Sequence, residues 1–186
     1  MKRRLFLTGP IGCGKSTAIR EGLGSRMGGC RGFLTRRYRE PSLHFTLESP
    51  DGAIQATFLD FPAGKPHVKL DVFGGLGVSL LNQTSHENGV WVLDEIGGIE
   101  LLNPAFSHAL DALLDSDVPI VGVLKGEGPA GKLIQSLNLT EEYETAAQGL
   151  RQRLRNDPNT LVYECTQFDE QAVLLVRQWG EEYCHD

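Results

Sequence analysis

Nine residues near the start of the chain constrain its fold most strongly. Gly9 to Thr17 read GPIGCGKST, directly after the apolar run RLFLT, and a helical pattern begins at Ser16. Gly9, Gly14, Lys15 and Ser16 satisfy G-x-x-x-x-G-K-[ST], the Walker A pattern. Glycines let the backbone turn tightly and bring successive N–H groups toward one centre. With the N-terminus of the following helix, those donors suit an anionic β-phosphate. Lys15 can reach β- and γ-oxygens as a flexible point charge. The Ser16 hydroxyl is the expected Mg²⁺ ligand, and Thr17 is expected near the α-phosphate. The expected phosphate-binding segment is therefore Gly9, Pro10, Ile11, Gly12, Cys13, Gly14, Lys15, Ser16 and Thr17. Cys13 reads as a small residue that fits the loop rather than as a redox-sensitive thiol. A strand before the motif and a helix after it disfavour a Gly-rich turn with no ligand.

A second constellation, VWVLDEIGGIEL, starts at Val90. Its apolar part reads as a central strand, with Asp94 and Glu95 at the C-terminal end. In parallel α/β sheets that is the ligand-binding edge. Asp94 is expected to hold Mg²⁺ through its water shell. Glu95 is placed to orient a water and accept its proton as it attacks the γ-phosphorus. A hydrolase needs such a group, whereas a small-molecule kinase must exclude water and position an acceptor hydroxyl. The acid pair thus favours hydrolysis over a Glu95 that only salt-bridges a strand end. Glu100 could orient the site or cap a loop.

The rest of the chain alternates strands and helices. CRGFLTRRYRE reads as a second strand. LHFTLES and AIQATFLDF, joined by PDG, read as a hairpin. Residues 62–77, with four glycines, read as a surface loop, and VSLLNQTSHENG as a short helix ending at Gly89. Asn103 is the expected cap of a helix to about Asp115, with Pro104 at its first position. VPIVGVL is the next central strand. Thr140 starts a helix with Tyr143, Ala146, Ala147, Leu150 and Leu154 on one face. TLVYEC and a helix from Asp169 to about Tyr183 follow, while the first helix is expected to run from Ser16 to about Met27. This order predicts an α/β three-layer sandwich around a mostly parallel sheet, with an antiparallel hairpin at its edge. Residues 1–186 are expected to form one domain.

Composition excludes several classes. A net charge of −6 over 186 residues disfavours a general nucleic-acid binder. No apolar run is long enough to cross a bilayer, and the N-terminus lacks a signal peptide's apolar stretch. Cys13, Cys30, Cys165 and Cys184 show no CxxC spacing, so they read as reduced thiols of a cytoplasmic protein without a zinc site. His67, His86 and His108 share no spacing and receive no metal or catalytic role.

With both motifs in place, the chain resembles the small P-loop nucleoside-triphosphatase family of archaea and bacteria, whose animal member is called cancer-related nucleoside-triphosphatase. Members begin TGPPGVGKTT, against TGPIGCGKST here. They carry GFYTEEVRE, against GFLTRRYRE at Gly32 to Glu40. They carry IDEIGKMEL, against LDEIGGIEL at Leu93 to Leu101. The three blocks keep their order over most of residues 1–102. The resemblance implies a Mg²⁺-dependent enzyme that slowly hydrolyses several NTPs, ATP and GTP among them, to NDP and phosphate, on a fold related to RecA-like and AAA-type ATPases. It also makes Arg39, which matches the family's arginine, the candidate for neutralising charge on the transferring phosphoryl group.

The chain departs from the family at several places. Gly98 stands for a lysine, and Arg36 and Arg37 stand for two acids. The family's closing T..NRD has no clear match, and residues 138–157 look longer than usual. Arg36 and Arg37 read as a solvated strand face. Lys125 and Lys132 flank the loop KGEGPAGK, in which Lys132 could reach phosphate as a lid lysine, although a mobile solvated loop is the plainer reading. The reading is a cytoplasmic NTPase with Lys15, Glu95 and Arg39 as catalytic groups and Ser16 and Asp94 as metal ligands. Its partners are nucleoside triphosphates, with no membrane, and a protein partner stays open. The alternatives are a nucleotide or nucleoside kinase and a nucleotide-dependent switch.

Overall fold

The computed structural model describes residues 1–83, 89–127, 132–167 and 169–184. The apolar run after the basic N-terminus forms β1 (Arg4–Thr8), and the glycine loop leads into α1 (Lys15–Leu23). The expected helix to Met27 stops earlier. Gly24 takes φ 57°, outside α-helical space, and a 3₁₀ run (Gly24–Gly29) carries the chain to β2 (Arg31–Tyr38). Next come β3 (His44–Glu48), β4 (Gln55–Asp60) and β5 (His67–Val68). Beyond them lie α2 (Val78–Leu81), β6 (Trp91–Ile96), α3 (Pro104–Asp115) and β7 (Ile120–Leu124). The chain closes with α4 (Lys132–Ser136), α5 (Thr140–Asn156), β8 (Thr160–Glu164) and α6 (Glu170–Tyr183).

The eight strands form one sheet in the order β5-β4-β3-β2-β6-β7-β1-β8. The β2/β6, β6/β7, β7/β1 and β1/β8 pairs are parallel, and β2/β3, β3/β4 and β4/β5 are antiparallel. Alternation along β1 divides the core. Leu5 and Leu7 join Ala18 and Ile19 of α1 and Val176 and Trp179 of α6 on one face. Phe6 turns to the other face, with Phe106 and Leu110 of α3 and Ala147 and Leu150 of α5. This is the three-layer α/β arrangement with an antiparallel edge that the sequence predicts. The Asn103 cap is present: its Oδ1 accepts the Phe106 N–H at 3.1 Å, with Pro104 at the first helical position.

Residues 62–77 are not the loop their glycines suggest. They include β5, and residues 71–81 are helical throughout, with a π-helical stretch at Phe73–Gly77. A Cβ on Gly77 would lie 2.8 Å from the Phe106 ring. The glycine therefore serves a close approach to α3 rather than a turn. α2 stops at Leu81, and neither Gln83 nor Gly89 is helical, so the helix ends well before the expected Gly89; residues 84–88, His86 among them, lie outside the described residues.

Candidate functional site

The loop after β1, the end of β6 and the start of α1 meet at the C-terminal edge of the parallel strands. One strand, β7, separates β1 from β6, so their ends lie about 10 Å apart. Ser16, on the first turn of α1, spans that gap: its Oγ donates to Asp94 Oδ1 at 2.7 Å.

The loop backbone turns through conformations that glycine adopts readily. Gly9, Gly12 and Gly14 take φ values of 133°, 81° and 89°, and Gly14 is the N-cap of α1 with no side-chain cap. The helix therefore presents its N-terminal N–H groups uncapped. Gly9 is also held by space, because a Cβ there would lie 2.0 Å from the Cys165 carbonyl oxygen. Ile11, Gly12, Gly14, Lys15, Ser16 and Thr17 line a cavity of about 260 Å³, faced by Glu95 and Val123. Pro10 and Cys13 shape the loop from behind: Pro10 O accepts the Cys13 N–H at 3.4 Å, and Cys13 is buried. The Lys15 ammonium folds back on the loop, donating to Gly9 O at 2.9 Å and Pro10 O at 2.7 Å, with Cys13 Sγ at 3.5 Å.

The two acids sit differently. Asp94 is only 3% exposed, and burial pushes its carboxyl up to about 6 against the pull of the Ser16 hydrogen bond. Among the described residues it has no ion-pair partner. Its neighbour Glu95 is partly exposed. The β6/β7 register pairs Asp94 with Val123 and Ile96 with Leu124, leaving Glu95 as a bulge. A bulge at a strand end re-aims a side chain, and Glu95 lines the cradle. Glu100 caps the loop after β6. Its Oε1 accepts the Gly97 N–H at 2.6 Å and the Gly98 N–H at 2.8 Å, and burial raises its carboxyl to about 7.

A hydroxyl and a buried carboxylate within hydrogen-bond distance are hard oxygen donors of the kind Mg²⁺ takes alongside phosphate and water, so the donor set fits that ion.

The comparisons bear on the same residues. A family model described as NTPase matches residues 4–157. The chain belongs to this NTPase family. A relative named nucleoside-triphosphatase THEP1 from Thermotoga petrophila is 30% identical over 129 residues, covering 66% of this chain and 72% of that one. The human cancer-related nucleoside-triphosphatase is 31% identical over 140 residues, covering 65% and 74%. The crystal structure of THEP1 from Aquifex aeolicus superposes with a TM-score of 0.66 at 20% identity, covering 98% of this chain and 99% of that one. The solution structure of the human protein gives 0.62 at 23%, covering 95% and 94%. Those two likenesses are of fold.

Within this NTPase-family fold, the residues expected from the two motifs meet at one edge. Arg39 does not join them: it is exposed beyond the end of β2 and is not among the residues lining the cradle. Of the loop KGEGPAGK, residues 128–131 lie outside the described residues, and Lys132 is the first residue of α4. The motifs gave no sign of Tyr143 as a neighbour of the acid loop, because it reads as a core position of α5. Its hydroxyl donates to Gly97 O at 3.2 Å.

Proposed function

We propose that this chain hydrolyses nucleoside triphosphates to the diphosphate and phosphate, with Mg²⁺, as a single domain of a reducing, cytoplasmic compartment. The observation that carries this reading is the Ser16–Asp94 contact at 2.7 Å beside a cradle that Glu95 faces. The names of the relatives support the reaction, and four free cysteines agree with a reducing compartment. Among the described residues, no helix is long and apolar enough to cross a membrane.

In this reading the loop N–H groups hold the β-phosphate. Lys15 exchanges its two carbonyl acceptors for β- and γ-oxygens and stabilises the charge that builds there. Ser16 and Asp94 would hold Mg²⁺, which when bound neutralises charge on the β- and γ-phosphates. Glu95 orients a water: its oxygen bonds to the γ-phosphorus, the bond from that phosphorus to the diphosphate oxygen breaks, and Glu95 takes the proton. Arg39, carried on the exposed segment after β2, is the proposed source of further positive charge.

Replacing Glu95 by Gln is expected to keep nucleotide uptake and to cut phosphate release by about 10²-fold or more. Release at the wild-type rate would remove Glu95 from this role. Arg39→Ala is expected to slow release about tenfold or more with uptake retained; an unchanged rate excludes it from the reaction. Phosphate release from ATP, GTP, CTP and UTP, with and without Mg²⁺, tests the reaction as a whole. No release from any of them would defeat it.

A further inference from the structure

Beyond Glu95, away from the cradle, lies a second cavity of about 340 Å³, within the size range of small-molecule sites. Phe45, Phe58 and Phe73 line it, with ring centres 6.3 Å apart for Phe45–Phe58 and 4.9 Å apart for Phe58–Phe73. Arg36, Arg37, Lys125, Glu95 and Glu100 complete its charged lining. With Arg36 and Glu100 each engaged by other groups, two cations, Arg37 and Lys125, face one carboxylate, Glu95. Arg36 Nε lies 2.9 Å from Glu48 Oε2, close enough to pair charges though not aligned as a hydrogen bond. Glu48 also accepts the Tyr38 and Thr46 hydroxyls at 2.7 Å each, so that set is closed within itself. Glu100 is engaged by two backbone N–H groups, and its burial holds it near half-protonated around neutral pH. Arg37 stands 5.8 Å over the Phe45 ring, and among the described residues neither Arg37 nor Lys125 makes an ion pair, although Lys125 is near enough to Glu100 to favour its charged form.

Arg37 over the Phe45 ring and Lys125 in the same lining, with Glu95 as the opposing carboxylate, favour a particular ligand chemistry. Flat apolar groups gain by burial against the rings, and an anion gains from Arg37 and Lys125. We propose that this cavity is a second ligand site, for a small organic anion with a flat apolar body, whose occupant lies against Glu95. Its position relative to a nucleotide rests on the reading of the cradle given above. There the γ-phosphate faces Glu95 and the α-phosphate is expected near Thr17, so the base leads away from Glu95 and this cavity is not its pocket.

The test uses 2-naphthoate as probe, titrated calorimetrically into the full chain. Saturable binding of one probe per chain is expected. It is expected to weaken about fivefold in Lys125→Met and for the uncharged 2-naphthamide, the size of one partly exposed charge contact. Lys15→Ala is expected to lose ATP uptake while binding 2-naphthoate within about twofold of wild type. No uptake at millimolar probe overturns the proposal. Equal affinity in Lys125→Met does the same, and so does loss of probe binding in Lys15→Ala, which would place the probe in the cradle. Should Lys125→Met fail to fold, Arg37→Met gives the same reading. If wild type binds 2-naphthoate but no ATP, the cradle reading fails and the second site stands.

Discussion

Glu100 shows how one buried carboxyl couples the site to pH. It caps the loop after β6 through the Gly97 and Gly98 N–H groups, with Lys125 and Tyr143 as its other titratable neighbours. Burial raises its pKa from 4.5 to about 7, so between those values the folded chain holds a proton that the unfolded chain has lost. Folding stability must then fall as pH rises through that window. Glu100→Gln keeps an oxygen for both N–H groups and removes the charge. Relative to wild type, it is expected to gain about 2 kcal/mol between pH 5 and pH 8. Urea unfolding at both pH values measures this, and parallel curves for the two proteins would show that Glu100 is not the group responsible. At this scale the cradle and the acid pair were readable from sequence because each is contiguous. The cavity beyond Glu95 was not, because Phe45, Phe58, Phe73, Lys125 and Tyr143 lie on separate segments and meet only through the sheet order. The resting contacts of Lys15 lie within the loop itself, but its backbone turns set them rather than the motif's letters.

Among the elements, the helical segment 71–81 is where sequence and structure part. Its glycines predicted a loop, on the usual ground that glycine weakens a helix. Packing overrides that preference, because Phe73 buries its ring between Phe58 and Phe106, with centres 4.9 and 5.7 Å away, and Gly77 lets the segment close on α3. Phe106 cannot yield, being fully buried and also packed on Phe33 at 5.8 Å. Gly77→Ala should therefore cost roughly 1–3 kcal/mol by overpacking, despite the better helix propensity of alanine. A denaturant midpoint at or above wild type would show that the contact relaxes freely. By contrast β1, β6, β7, α3 and α5 were readable directly, because their apolar runs or 3.6-residue stripes match the faces they bury. β5 was not, having two residues and a partner in β4 as its only support in the sheet.

For the whole molecule, the decisive fact is that β1 lies between β7 and β8, pairing with both. The strand that launches the phosphate loop is thus completed by residues near the other end of the chain. α6 seals the same region: Val173, Val176 and Trp179 are buried with Leu5, Leu7 and Ile19, and Trp179 Nε1 donates to Lys2 O at 3.2 Å. The family match ends at residue 157, before β8 and α6 begin. A chain cut there would strip one neighbour from β1 and open the core on the α1 side. Each large apolar side chain that loses its burial costs roughly 1.5–3 kcal/mol, so losing three or four of them removes a sum comparable to the ~5–15 kcal/mol that holds a domain folded. The cradle should suffer directly, since Gly9 rests on the Cys165 carbonyl and Cys165 N–H donates to Thr8 O at 2.8 Å. A fragment of residues 1–157 is accordingly expected to show no cooperative thermal unfolding by circular dichroism and no nucleotide uptake, while the full chain shows both. A cooperative melt from the fragment would mean that the matched region folds alone, and that residues 158–186 are an addition to the domain rather than part of it.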